Sequence, residues 1–191
     1  MNIYDSQLIC KALKFAEKAH RGQCRKGKDT PYIVHPVEAA FISMTLTEDE
    51  EIIAAVLLHD VLEDTEVTAD ELKELFGERV TALVEAESEK KDRSQPAENT
   101  WHERKSAALR RIHNANRDVK VLFLSDKLSN MRACAEDMEA YGDEMWTKFN
   151  NRNKADHEWY YRSMAEELRC FEGTEAYTEL LALTEKVFKG E

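Results

Sequence analysis

The run from Ile52 to Leu58, IIAAVLL, contains no polar residue, and HDVLEDT follows it at once. An uninterrupted apolar stretch of this kind reads as a core helix. Yet His59, Asp60, Glu63 and Asp64 continue it. Buried carboxylates are costly unless they are paired or bound to a metal. This one feature therefore demands both a fold that encloses a helix and a site that accounts for its acids.

The rest of the chain supplies helices to enclose it. With only 3 prolines and 6 glycines, the sequence favours helices over a loop-rich β fold. Leu8, Ala12, Phe15, Ala16 and Ala19 recur at helical spacing over residues 6–20, with Asp5 or Ser6 placed to cap. Residues 21–34 read as a loop, turn-like and then extended. Pro36 suits the first turn of a helix running to about Leu46, with His35 at its entrance. Thr47 and Glu50 form a T-x-x-E capping box before the central motif. Thr68 and Glu71 repeat it before LKELFG, where Gly77 ends a short helix. Residues 78–87 look helical again, and the polar stretch 88–100 reads as a loop. Helices are expected over 101–115, 118–134, 136–149, 151–171 and 174–189. A length of 191 residues fits one all-α domain, with residues 1–171 as the main body and 172–191 as a helical extension packed on it.

The net charge of −11 argues against a nucleic-acid binder, which needs a basic face to neutralise phosphates. It leaves room for a small anionic ligand held by a local basic cluster: Arg25, Lys26 and Lys28, or Lys90, Lys91 and Arg93, or Arg104 and Lys105. The 4 cysteines form no CxxC pair, which fits reduced thiols in the cytoplasm. No apolar stretch approaches the roughly 18 residues of a membrane span, so no membrane association is expected. Nothing in the pattern implies an oligomeric state.

In a helix, His59 shares a face with Glu63, and Asp60 with Asp64. His59 and Asp60 themselves lie about 100° apart around the axis, so both touch one ion only from the rim of the buried face. Further ligands are needed. His35 precedes a proline, and Asp126 ends the apolar run VLFLSD, which mirrors AVLLHD. Together they give two imidazoles and two carboxylates. That mixture suits Mn²⁺ or Fe²⁺ better than structural Zn²⁺. An ion so held leaves room for an acidified water, and the chemistry implied is hydrolysis of a phosphate ester or anhydride.

The order H…HD…D resembles the HD phosphohydrolases. The segments AHRGQCRKGKDTPYIVHP, LLHDVLEDT, FGERV and SDKLSNMR look, more narrowly, like the hydrolase domain of the RelA/SpoT homologues, and especially the small stand-alone (p)ppGpp hydrolases, over roughly residues 8–170. The resemblance implies a single HD-domain helical bundle around a central metal site. It implies that His35, His59, Asp60 and Asp126 bind the metal, usually Mn²⁺, and that Glu63 and Asp64 orient the attacking water and handle protons. It implies that Arg25 and Lys26 border the nucleotide, with Arg25 near the base, and that Asn130 contacts sugar or base. Tyr160 is the best match for a ribose-side contact, with Tyr161 as the rival. Lys105, with Arg104 beside it, matches a pyrophosphate-gripping stretch. The reaction implied is removal of the 3′-pyrophosphate of guanosine tetra- or pentaphosphate. The alternatives are hydrolysis of another nucleotide or a phosphorylated cofactor, or nucleotide binding without catalysis.

The sequence also departs from the pattern. Ser129 stands where many relatives carry histidine or tyrosine, Cys24 precedes Arg25, and the stretch 88–100 with TWHERK matches the bifunctional enzymes poorly. His20, His102, His113 and His157 read as structural or surface residues, and Trp101 as a packing residue.

Overall fold

The structure, a computed structural model, describes residues 6–89 and 100–189; the cluster Lys90, Lys91 and Arg93, and Asp5, lie outside the described residues. Helix α1 spans Gln7–Ala19, and the Ser6 side chain caps it by accepting the Ile9 N–H at 3.2 Å. Helices α2 (Val34–Met44), α3 (Glu50–Leu58) and α4 (Val61–Asp64) follow. Helix α5 covers Ala69–Glu87 with a kink at Gly77, and Thr68 caps it through the Glu71 N–H, as the second capping box predicts. Then come α6 (Trp101–Asn114), α7 (Arg117–Tyr141), α8 (Lys154–Glu167) and α9 (Glu175–Lys189). Among the described residues there is no β-strand, only an isolated bridge between Cys24 and Pro31.

Three local expectations are corrected. The cap of α3 is Asp49, which accepts the Glu51 N–H at 2.9 Å, and not Thr47. The Thr47 N–H is still bonded to the Ser43 carbonyl at the end of α2, so Thr47 belongs to the turn before the helix. Helix α7 does not break near residue 135. Cys134, Ala135 and Asp137 are buried, and the helix runs on for 25 residues to Gly142, whose φ of 56° ends it. The next turn, Gly142–Lys148, is a 3-10 helix. Likewise α8 stops at Glu167, and a short 3-10 turn, Arg169–Phe171, follows.

Every side chain of α3 from Ile52 to Leu58 is buried, as the apolar run predicts. Helix α3 packs against α1, α2, α5 and α7, α7 packs against α2 and α9, and α6 and α9 both pack on α8. Each buried Ile, Leu or Val contributes about 1.5–3 kcal/mol. The central helix is therefore a firmly held platform, and whatever follows Leu58 inherits a fixed position. Among the described residues no helix is long and apolar enough to cross a membrane. The 4 cysteines are free thiols.

Candidate active site

The helix does not run continuously through the HD motif. It ends at Leu58 and resumes at Val61, with Asp60 at φ −92° and ψ −6°. A continuous helix would turn His59 and Asp60 about 100° apart. The break brings them together instead: His59 Nε2 lies 3.0 Å from Asp60 Oδ2. The His59 ring also serves the helix end, because its Nδ1–H donates to the Val56 carbonyl at 2.6 Å.

His35 on α2 and Asp126 on α7 complete the cluster. His35 Nε2 lies 3.2 Å from His59 Nε2, 3.1 Å from Asp126 Oδ1 and 3.5 Å from Asp60 Oδ2. His59 Nε2 lies 3.6 Å from Asp126 Oδ1. Donor atoms of His35, His59 and Asp126 all fall within 4.8 Å of one another. Donors at right angles around an ion, each roughly 2.0–2.2 Å away, are about 3 Å apart. The separations within that group of three fit a common cation, and Asp60 stands beside it against the two imidazoles.

The imidazole tautomers fit it too. His59 uses Nδ1 for the helix carbonyl. His35 uses Nδ1 for Ser129, whose Oγ lies 2.9 Å away and itself donates to Glu38 Oε2 at 2.6 Å. Ser129 therefore accepts the His35 Nδ1–H, and both rings present Nε2 lone pairs to the cluster. Burial opposes charge on His59, but Asp60 and Asp126 outweigh it and hold the imidazole well above its usual pKa, so a cation would take its Nε2 lone pair by displacing the proton there. Burial likewise opposes charge on the two acids. His59 overcomes it at Asp60, and Lys127 and the histidines at Asp126, so both stay well below the usual carboxylate range. The buried Asp126 and the half-buried Asp60 bring two negative charges to the imidazoles, which a divalent ion would balance.

His35, Asp60 and Asp126 line a cavity of about 500 Å³, and His59 sits behind them. A second cavity of about 330 Å³ adjoins it, sharing Tyr32, Lys105, Asn130 and Tyr160 among its walls. Both volumes suit a small-molecule ligand.

Residues 12–154 match the family described as HD domain. The chain belongs to the HD-domain family. Within it, the guanosine-3′,5′-bis(diphosphate) 3′-pyrophosphohydrolase MESH1 of Danio rerio is 35% identical over 69% of this chain and 72% of its own length. A guanosine-3′,5′-bis(diphosphate) 3′-pyrophosphohydrolase of Aquifex aeolicus is 41% identical over 65% of this chain, but only 17% of its own length is covered. A GTP pyrophosphokinase of Myxococcus xanthus is 39% identical, with 67% of this chain and 17% of the relative covered. This chain thus spans less than a fifth of those two longer relatives. A solved structure described as a metazoan orthologue of SpoT that hydrolyses ppGpp superposes with a TM-score of 0.75 at 26% identity, covering 96% of this chain and 97% of the other.

The HD-domain frame brings most of the expected ligand contacts to the two cavities. Glu63, Lys26, Lys105, Arg104, Asn130 and Tyr160 line the larger one. Arg25 lines the adjoining cavity, where its guanidinium donates to Asn130 Oδ1 at 2.8 Å. The Asn130 amide in turn donates to Asp126 Oδ1 at 2.5 Å, which ties the metal cluster to the nucleotide side. Tyr160 lines both cavities and Tyr161 only the smaller, so Tyr160 stands nearer the cluster. Asp64 differs from Glu63: it is exposed and forms no part of the cavity wall. The Asp64 N–H still bonds the Asp60 carbonyl at 2.9 Å, so the two acids keep their one-turn relation, and the Tyr32 hydroxyl, 3.5 Å from Asp64 Oδ2, touches both.

Several wall residues were not assigned to the site from the sequence. The Tyr32 hydroxyl donates to Asp60 Oδ2 at 2.6 Å. Lys127, half-buried, bonds Asp126 Oδ2 and lies 3.8 Å from Glu87 Oε1. Glu89 pairs with Arg104 and Lys105. His157, read as structural or surface, proves to be a wall residue of both cavities, packed against Trp101 and bonded to the Asn151 carbonyl at 2.9 Å. For Tyr32 the available signal was its place in PYIVHP, three residues before His35. The others depend on which helix faces which.

Proposed function

We propose that this chain is a metal-dependent phosphohydrolase that removes the 3′-pyrophosphate of guanosine tetra- or pentaphosphate. The observation that carries the reading is that the Nε2 atoms of His35 and His59 each lie within 3.0–3.6 Å of the Asp60 and Asp126 carboxylates, at the wall of a cavity that also presents Lys105 and Arg104. The names and coverage of MESH1 and the metazoan SpoT orthologue support the same substrate.

His35, His59, Asp60 and Asp126 would hold the ion, and their mixed nitrogen and oxygen donors favour Mn²⁺. The ion, when bound, acidifies water and polarises the phosphoryl group. Glu63 is the residue we assign to orient the attacking water and take its proton. Its Oε2 accepts the Glu89 N–H at 3.0 Å, which fixes the carboxylate at the cavity wall. Asp64 acts alongside through Tyr32 rather than by direct reach. Water attacks the phosphorus joined to the 3′ oxygen, the P–O3′ bond breaks, and the ribose hydroxyl regains a proton. The products are GDP or GTP and pyrophosphate. Lys105 and Arg104 offset the pyrophosphate charge, Lys26, Asn130 and Tyr160 border the nucleoside, and Arg25 reaches the base from the adjoining cavity. The free cysteines fit a reducing cytoplasm.

The test is purified protein with Mn²⁺ and guanosine-3′,5′-bis(diphosphate), with products separated by chromatography. Stoichiometric GDP and pyrophosphate are expected. Orthophosphate release, or turnover only on other nucleotides in a panel, would reassign the substrate. Saturable binding without turnover would make the chain a nucleotide-binding module.

A further inference from the structure

The cations of α6 assigned to the pyrophosphate are already occupied from within the chain. Glu89, just beyond α5, places Oε2 2.6 Å from Arg104 Nη1 and Oε1 2.5 Å from Lys105 Nζ. All three side chains line the cavity of the metal cluster and are largely buried, with exposures of 11%, 17% and 19%. Lys105 is held further by the Tyr160 ring, whose centroid is 5.0 Å from Nζ. One carboxylate bridging two cations has the charge and spacing of two oxygens on a phosphoryl group.

We propose that Glu89 is an internal stand-in for the pyrophosphate, and that it lowers the site's affinity for a bare inorganic anion so that the pyrophosphate product leaves readily. The inference rests on the assignment of Arg104 and Lys105 as phosphate contacts. An entering diphosphate regains the ion pairs only by displacing the Glu89 carboxylate, so every ligand binds more weakly by the same factor. A nucleotide makes up that loss through its sugar and base in the adjoining cavity, beside Arg25, Asn130 and Tyr160. Inorganic pyrophosphate has no such contacts, so it leaves readily after reaction and competes poorly with substrate. Burial pushes the Glu89 carboxyl up, but Lys105, Lys127 and Arg104 draw it down to about 2, so the competing charge persists throughout the neutral range. The Glu89 N–H that holds Glu63 is a backbone group and survives side-chain substitution.

Titrating inorganic pyrophosphate into the full chain in EDTA, followed by calorimetry and by tryptophan fluorescence, to which Trp101 in the cavity wall contributes, tests the proposal. Glu89→Gln should bind pyrophosphate roughly tenfold more tightly than the parent, the worth of one charge-assisted hydrogen bond. Glu89→Ala should do so as well, and Lys105→Met should bind more weakly than the parent. Unchanged or weaker binding by both Glu89 variants would overturn the proposal, because Glu89 would then only position the cations. Absence of pyrophosphate binding in every variant would overturn it too. The titration involves no nucleotide turnover. A chain that hydrolyses another nucleotide but shows the tenfold gain would refute the substrate assignment alone, and the converse result would refute only the role of Glu89.

Discussion

Replacing Ser129 by alanine tests whether the His35 tautomer is held from behind. Ser129 is buried on α7, accepts the His35 Nδ1–H at 2.9 Å and donates to Glu38 Oε2 at 2.6 Å. Alanine removes the acceptor and leaves a buried Nδ1–H without a partner, which costs about 1–3 kcal/mol. Glu38 loses less, because Arg132 Nη1 still bonds its other oxygen at 3.1 Å. The His35 ring is then free to rotate or to change tautomer, and its Nε2 no longer points at the cluster by default. Outer partners of this kind typically contribute 10- to 100-fold in metal affinity, or about 1.4–2.7 kcal/mol, the same range as the orphaned donor. Mn²⁺ affinity, read from the free-ion electron paramagnetic resonance signal during titration, should fall by roughly 10- to 100-fold. Ser129→Thr, which keeps the hydroxyl, should recover most of it. A Ser129→Ala protein that melts cooperatively and binds Mn²⁺ within about twofold of the parent would refute the relay.

Three further outcomes follow from the geometry. Asp60→Ala removes the acid that the helix break turns toward both imidazoles, and it should abolish Mn²⁺ binding and turnover together; full activity in this variant would end the scheme. Glu87 is buried, with Oε2 lacking a hydrogen-bond partner, and burial pushes its carboxyl up to about 8. The folded state thus keeps a proton that the unfolded chain releases near about 4.3, so this group's contribution to stability declines as pH rises from about 4.3 to about 8. Thermal melts in EDTA should show Glu87→Gln gaining stability relative to the parent across that window, and parallel profiles would contradict the assignment. Gly77, at φ 87° and ψ 169°, has open space where a Cβ would stand, with no heavy atom within 4 Å, so Gly77→Ala should cost only backbone strain, about 1–3 kcal/mol in a denaturant melt, without altering the hydrolysis rate of folded protein.

Local patterns in the chain were enough to establish the burial of α3, the caps at Ser6 and Thr68, and the pairing of VLLHD with LFLSD as two apolar runs that each end in an acid. These are short-range signals: periodicity, cap chemistry, and the cost of placing a carboxylate at the end of a core helix. The identity of the cluster was legible for the same reason, since His59, Asp60 and Asp126 are polar residues where apolar ones belong. How they meet was settled by the assembled helices alone. The break at Asp60 sets the two neighbouring side chains 3.0 Å apart, closer than their 100° separation on a helical wheel alone would suggest. Ser129 reaches His35 across a separation of 94 residues, and Glu89 reaches Lys105 across 16. Such contacts depend on the angles at which α2, α5, α6 and α7 pack. Those angles come from the fit of whole helix faces rather than from any local pattern, so the side chains that hold and balance the cluster stayed hidden until the helices came together.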